Sequence, residues 1–178
     1  MAGGRAKGLV MTQAVCQCGQ TKIALTGDPI LNVSCYCESC RTAGQGFERD
    51  LGAPRTLNAD SGVDYCSWRK DRVKIVEGGE HLKEFRLKPD SPTRRVVAMC
   101  CSSPMFADFT PGHWLSVFRG RLGASAPKSS MRLMTKDKLD GVELAGDIPN
   151  YKTMPPLFVF KLIASWAAMG FRRPKIVW

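Results

Sequence analysis

The stretch Cys35-Tyr36-Cys37-Glu38-Ser39-Cys40 reads C-x-C-x-x-C, three thiols in six residues. Thiolates this close can converge on one ion if the backbone folds back between them. Zinc is the ion that suits thiolates without bringing redox chemistry. A structural zinc takes four protein ligands, whereas a catalytic zinc keeps three and leaves one position for water or substrate. No Cys or His follows Cys40 within the next twenty-five residues, so Cys35, Cys37 and Cys40 suit an open, catalytic site. The competing reading is three buried or redox-active cysteines. Three thiolates on a divalent ion leave a net charge of about −1, which weakens Lewis acidity and favours a soft, thiol-type fourth ligand. Glu38 is a candidate for moving a proton at such a site. Arg41, Arg49 and Arg55 are candidates for holding substrate carboxylates.

Eight cysteines are present, and four more can form a second site. Cys16 and Cys18 lie in a C-x-C-G knuckle, where Gly19 provides the positive φ such a turn often needs. Cys100 and Cys101 stand more than eighty residues later. A distant pair stapled to an N-terminal pair would tie strands together as a structural zinc site. Successive side chains of an extended strand point to opposite faces, so both members of an adjacent pair reach one ion only where the backbone turns. Cys101 is the expected ligand, and Cys100 either joins it or acts as a small buried hydrophobe. Cys66 reads as a core or surface thiol. His81 is expected in solvent and His113 on a surface loop, although His113 precedes a strand and could reach a site.

The surrounding pattern is mainly β. Strands are expected over Leu9–Val15, Thr21–Thr26, Ile30–Ser34, Val63–Trp68, Arg72–Glu77, Leu82–Leu87, Arg95–Cys101, Met105–Phe109 and Leu115–Phe118, with Gly78-Gly79 as a hairpin turn. Met1–Gly8 reads as a loose terminus, and Arg41–Pro54 as a glycine-rich loop over the mouth of the trio. Residues 1–122 form the expected zinc-binding β domain. Residues 123–178 form a linker and a helical extension packed on it. Pro155-Pro156 opens a helix over Leu157–Met169 and Gly170 stops it. That run of about thirteen residues is short of the roughly twenty a membrane span needs. A packed or partner-binding helix is expected instead, with room for a homodimer. The basic, aromatic tail Phe171–Trp178 either lies on the domain or touches an anionic surface.

The chain of 178 residues is long enough for one domain with a real core, and its net charge of +10 suits an anionic partner. Nucleic acid is one such partner, although Lys and Arg are scattered and do not form a stripe with interleaved aromatics. There is no signal-peptide pattern, and clustered cysteines in a cytoplasmic chain read as metal-binding.

The order C-x-C-G, then C-x-C-x-x-C, then Val76-Glu77-Gly78-Gly79-Glu80, then Cys100-Cys101-x-x-Pro104-Met105-Phe106 resembles the glutathione-dependent formaldehyde-activating (GFA-like) family, which includes centromere protein V-like domains. The resemblance runs from Ala14 to Gly120. It implies a β-tent fold pinned by a structural zinc at Cys16, Cys18 and Cys101, and a second, open zinc at Cys35, Cys37 and Cys40, about two ions per chain. Where the family commonly has C-x-x-C-G this chain has Cys100-Cys101-Ser102, so Cys100 is the nearest candidate for the fourth structural ligand. The activity implied is that of a carbon–sulfur lyase, joining glutathione to formaldehyde. The alternative is a non-catalytic, zinc-stabilised binding module for nucleic acid or protein.

Overall fold

The computed structural model describes residues 11–124 and 126–178. Met1–Gly8, expected to be loose, and Leu9 and Val10 of the first expected strand lie outside the described residues, as does Ser125 of the expected linker. Among the described residues there are ten strands and two α-helices. The order is β1 (Met11–Val15), β2 (Lys22–Thr26), β3 (Leu31–Cys35), α1 (Glu38–Leu51), β4 (Val63–Arg69) and β5 (Val73–Glu77), then β6 (Leu82–Phe85), β7 (Thr93–Ala98), β8 (Ser103–Phe109), β9 (Trp114–Phe118), β10 (Met131–Leu133) and α2 (Pro156–Ala167). Strands β1-β2-β5 form a small sheet, and β10-β3-β4-β9-β8-β7-β6 form a large one. The fold is mainly β with a C-terminal helix, as the sequence pattern implies.

Strand alternation explains how one sheet serves two cores. Along β4, Val63 and Tyr65 face one way, into a cluster with Leu31, Val33, Phe118 and Met131, which Phe158 and Leu162 of α2 cover. Cys66 and Trp68 face the other way and pack with Ile23 and Leu25 of the small sheet and with Phe106, Leu115 and Val117. Cys66 is thus a core thiol, and burial pushes its pKa up to about 11. The small sheet lies over one face of the large sheet and α2 lies over the other.

Four expectations need correction. Gly78-Gly79 does not close a hairpin: β5 pairs with β2, whereas β6 pairs with β7, so the glycines carry the chain from one sheet to the other. Gly78 has φ +66°, and a Cβ there would lie 2.2 Å from the Gln20 carbonyl oxygen. Residues expected as a loop over 41–54 form most of helix α1. Its glycines mislead because one is a packing device: a Cβ on Gly44 would lie 2.5 Å from Leu57 Cδ1 and 2.8 Å from Thr56 Oγ1. Strand β10, not foreseen, runs parallel to β3 and so adds residues beyond 122 to the edge of the large sheet. The strand expected to run through Cys101 ends at Ala98.

The C-terminal tail lies on the domain. Trp178 Nε1 donates to the Leu82 carbonyl (2.9 Å), the Arg94 guanidinium stacks 4.7 Å from the Trp178 ring centroid, and Ile176 is buried. Arg94 also pairs with Asp108 (2.9 Å), which Lys70 meets from the other side (2.8 Å). Helix α2 buries Phe158 and Leu162 and exposes Leu157, Phe160 and Ile163. Among the described residues no helix is long and apolar enough to cross a membrane.

Gly78→Ala combines a left-handed backbone with a clash against main chain, so urea denaturation is expected to show a loss of more than about 2 kcal/mol. Gly79→Ala is the control, since its Cβ meets nothing closer than 3.5 Å. An equal loss in both variants would contradict the crossover role of Gly78.

Candidate metal centres

The Sγ atoms of Cys16, Cys18, Cys100 and Cys101 all lie within 4.8 Å of one another. Neighbouring sulfurs stand 3.6 Å (Cys16–Cys18), 3.7 Å (Cys16–Cys100), 3.4 Å (Cys18–Cys100) and 4.0 Å (Cys100–Cys101) apart. A tetrahedral zinc with Zn–S bonds of about 2.3 Å has edges of about 3.8 Å, so this donor set fits the ion in both chemistry and spacing. Cys100 and Cys101 face the same point because the chain turns directly after β7. The Cys101 N–H bonds to the Ala98 carbonyl (3.3 Å), and Ser102 has φ +53°. The adjacency that left Cys100 open in the sequence is thereby resolved, and it completes the set of four. Gly19 takes φ +82° at the other knuckle, as the C-x-C-G pattern requires. The Gln17 N–H donates to Ser103 Oγ (3.0 Å) and the Thr21 N–H to Cys16 Sγ (3.2 Å). Burial opposes ionisation of Cys101, but the Ser103 hydroxyl and the Cys18 N–H outweigh it and bring the thiol down to about 6.

The second set is Cys35, Cys37 and Cys40, whose sulfurs also lie within 4.8 Å of one another, with Cys35 and Cys37 3.5 Å apart. These spacings again fit a tetrahedral zinc. Among the described residues, no fourth Cys, His, Asp or Glu joins them. Cys35 ends β3, Cys37 caps α1 and Cys40 lies in its first turn. Tyr36 points away from the sulfurs and locks the bend. Its ring is fully buried, its hydroxyl donates to Asp60 (2.6 Å), and its N–H donates to the Leu133 carbonyl (3.0 Å). The N-terminal end of α1 supplies partial positive charge beside the thiols. Contacts with Cys35 and Cys40 pull the Cys37 thiol well down, while contacts with Cys37 and Cys40, together with burial, push Cys35 up.

The trio opens onto a cavity of about 430 Å³ that lies between the large sheet and α2. Two side chains in its wall were not anticipated. Arg95 is 3% exposed, donates through Nη2 to the Ser39 carbonyl (3.0 Å) and Ser39 Oγ (3.2 Å), and has no partner at Nε. The Tyr65 hydroxyl lies 3.8 Å from Cys40 Sγ, and burial raises its pKa far above 10, so the phenol keeps its proton. A charged residue at the start of the apolar run Arg95-Val96-Val97-Ala98 is the one sequence signal that could have marked Arg95.

The expected accessory residues lie elsewhere. Glu38 is exposed and outside the cavity wall. Arg41 bonds to the Tyr36 and Asp137 carbonyls, Arg49 pairs with Asp50 (2.6 Å), and Arg55 donates to the Leu57 carbonyl (2.9 Å) beside a different cavity. Each guanidinium is engaged by a carbonyl or carboxylate, and none of the three lines the cavity of the trio. His81 is partly exposed and lies 3.6 Å from Glu80. His113, expected on the surface, is buried. Its Nε2 lies 2.8 Å from Ser165 Oγ, and its ring stacks on Trp166 at 5.7 Å, so it fastens α2 to the sheet.

A family model described as glutathione-dependent formaldehyde-activating enzyme matches residues 11–132, which contain all seven clustered cysteines. The chain belongs to this family. The GFA match ends inside β10, so the segment carrying α2 lies beyond it. A crystal structure of a Rhodobacter sphaeroides protein is similar with a TM-score of 0.44 and 15% identity, over 78% of this chain and 98% of that one. No curated protein sequence matches the chain.

Cys18→Ser removes a ligand from the four-sulfur set and is expected to lower the melting temperature steeply, because a structural metal contributes directly to folding. Cys37→Ser is expected to lose one bound zinc by elemental analysis and keep its melting temperature within a few degrees. Identical behaviour of the two variants would contradict the division of roles. Burial lowers the pKa of His113 below 6.5, with nearby Lys70, Arg173 and Arg69 adding to the shift. The folded state then binds fewer protons than the unfolded one as pH falls below about 6.5, so stability is expected to drop there. His113→Asn should flatten that part of the stability–pH curve, and an unchanged slope would contradict it.

Proposed function

We propose that this protein is a zinc-dependent carbon–sulfur lyase that joins a small thiol, of which glutathione is the family's example, to a small aldehyde, and reverses that addition. The observation that carries this reading is a set of three thiols, with no fourth protein donor among the described residues, on the wall of a cavity of about 430 Å³. We take the ion at both sites to be zinc, about two per chain. None of the eight cysteines is in a disulfide, which suits a reducing compartment such as the cytoplasm.

Zinc held by Cys35, Cys37 and Cys40 would keep a fourth, incoming thiol deprotonated at neutral pH. In the forward direction the sulfur of that thiol bonds to the aldehyde carbon. The carbonyl π pair moves to oxygen, and that oxygen takes up the proton the thiol released. The lyase direction is the reverse, and no oxidant or reductant is needed. The chain's own part is to offer donors where negative charge develops. Tyr65 keeps its proton beside Cys40 and is the donor placed for that role. Donors fixed in a water-poor pocket stabilise a developing alkoxide without reorganisation. Arg95 also offsets the net charge of about −1 that three thiolates leave on a divalent ion.

The test is exchange spectroscopy on a thiol, formaldehyde and their hemithioacetal, with the zinc-loaded protein present. The intact protein is expected to accelerate exchange, and Cys37→Ser is expected to abolish the effect. Tyr65→Phe is expected to retain its zinc and lower kcat/KM by about tenfold to a hundredfold. No acceleration by the intact, zinc-loaded protein would overturn the lyase reading.

A further inference from the structure

Apart from the cysteines, Arg95 is the only charged side chain in the wall of this cavity among the described residues. Most of the wall is hydrocarbon, including Phe109, Trp114, Leu133, Met154, Phe158 and Leu162. Leu133, Met154, Phe158 and Leu162 lie beyond residue 132, where the family match ends. The matched part of the chain supplies the sulfurs, Arg95 and some of the apolar wall, including Phe109 and Trp114, and the segment beyond the match supplies an apolar roof.

Glutathione fits that wall poorly. At neutral pH it carries two carboxylates and an ammonium. One guanidinium can answer one carboxylate, and for the other two charges the wall offers no counter-ion, only the hydroxyls of Ser39, Tyr65, Ser67, Thr93 and Ser116, which is costly. Arg95 also has a specific donor to spare. Ser39 takes up Nη2, while Nε is buried and unpartnered. Because Ser39 adjoins Cys40, the Arg95 guanidinium is held at the sulfur end of the cavity. A ligand that satisfies both would have its thiol and its single acid group close together at one end and a hydrocarbon body at the other.

We propose that the cavity takes an apolar α-mercapto acid: sulfur at Cys35, Cys37 and Cys40, carboxylate on Arg95, and an aryl or alkyl body under α2. This rests on the thiol-binding reading above and names the class of thiol. Bidentate or charge-assisted contact with a guanidinium favours a carboxylate over a neutral acceptor.

Titration of the zinc-loaded protein, followed by calorimetry and by the fluorescence of Trp114 in the cavity wall, tests it with four probes. These are α-mercaptohydrocinnamate, phenethyl mercaptan (no acid), hydrocinnamate (no thiol) and glutathione. The mercapto acid is expected to bind at least tenfold more tightly than phenethyl mercaptan and a hundredfold more tightly than glutathione. Arg95→Gln is expected to reduce its affinity to that of phenethyl mercaptan, whose own affinity stays unchanged, and Arg95→Lys should recover part of the loss. Should the buried Arg95 variants fail to fold, Met154→Glu is the second test. Met154 is 54% exposed at the cavity rim, so the change is expected to leave the melting temperature intact and weaken the mercapto acid at least fivefold. Glutathione binding as tightly as the mercapto acid, or Met154→Glu without effect on it, would overturn the proposal. Hydrocinnamate binding as tightly as the mercapto acid would remove sulfur from recognition, sinking the thiol reading while leaving Arg95 as an acid-binding group. Binding of none of the four would sink both.

Discussion

The architecture depends on four sulfurs meeting at one point. Cys16 and Cys18 come from the turn that joins β1 to β2, and Cys100 and Cys101 from the turn that joins β7 to β8. One turn belongs to the small sheet and the other to the large sheet. The core that contains Ile23, Leu25, Trp68 and Phe106 is closed by this clip at one edge. Gly78 crosses between the sheets close by, with Thr21 Oγ1 donating to its carbonyl (3.2 Å). An ion at this clip would join segments more than eighty residues apart, a connection that hydrophobic burial alone specifies only loosely.

The same hairpin links the two centres. The β7–β8 turn carries Cys100 and Cys101, and β7, which runs into it through an irregularity at Val96–Val97, carries Arg95 into the cavity wall beside Ser39. The two cysteine sets share one ligand type and differ in how the chain delivers it. The closed set is drawn from two distant turns, so four sulfurs can surround one point. The open set comes from six consecutive residues that leave a strand and enter a helix, and Tyr36 is turned inward between them. A single short arc covers one side of an ion and leaves the other side to the cavity.

The cysteines were the most legible part of the chain, because thiolate spacing has few other uses and seven of the eight fall into clusters. Nine of the ten strands were also readable from alternation. What escaped depended on contacts distant in sequence. Gly44 lowers helix propensity locally, yet α1 needs it to approach Thr56 and Leu57. Gly78-Gly79 has the composition of a hairpin, and only the pairing of β5 with β2 shows that it is a crossover. Strand β10 spans three residues, too few for a period to appear. Arg95 and Tyr65 look like ordinary strand residues until the sheet brings them beside Cys40, whereas the arginines nearest the trio in sequence are occupied by other carbonyl and carboxylate partners.

The central claim is that this protein holds one closed and one open sulfur centre. A crystal structure of the zinc-loaded protein, with anomalous data collected across the zinc edge, tests it directly. The account predicts two anomalous peaks: one bounded by Cys16, Cys18, Cys100 and Cys101, the other by Cys35, Cys37 and Cys40 with a non-protein ligand facing the cavity. A single peak, a protein side chain in that fourth position, or a disulfide within the trio would contradict it.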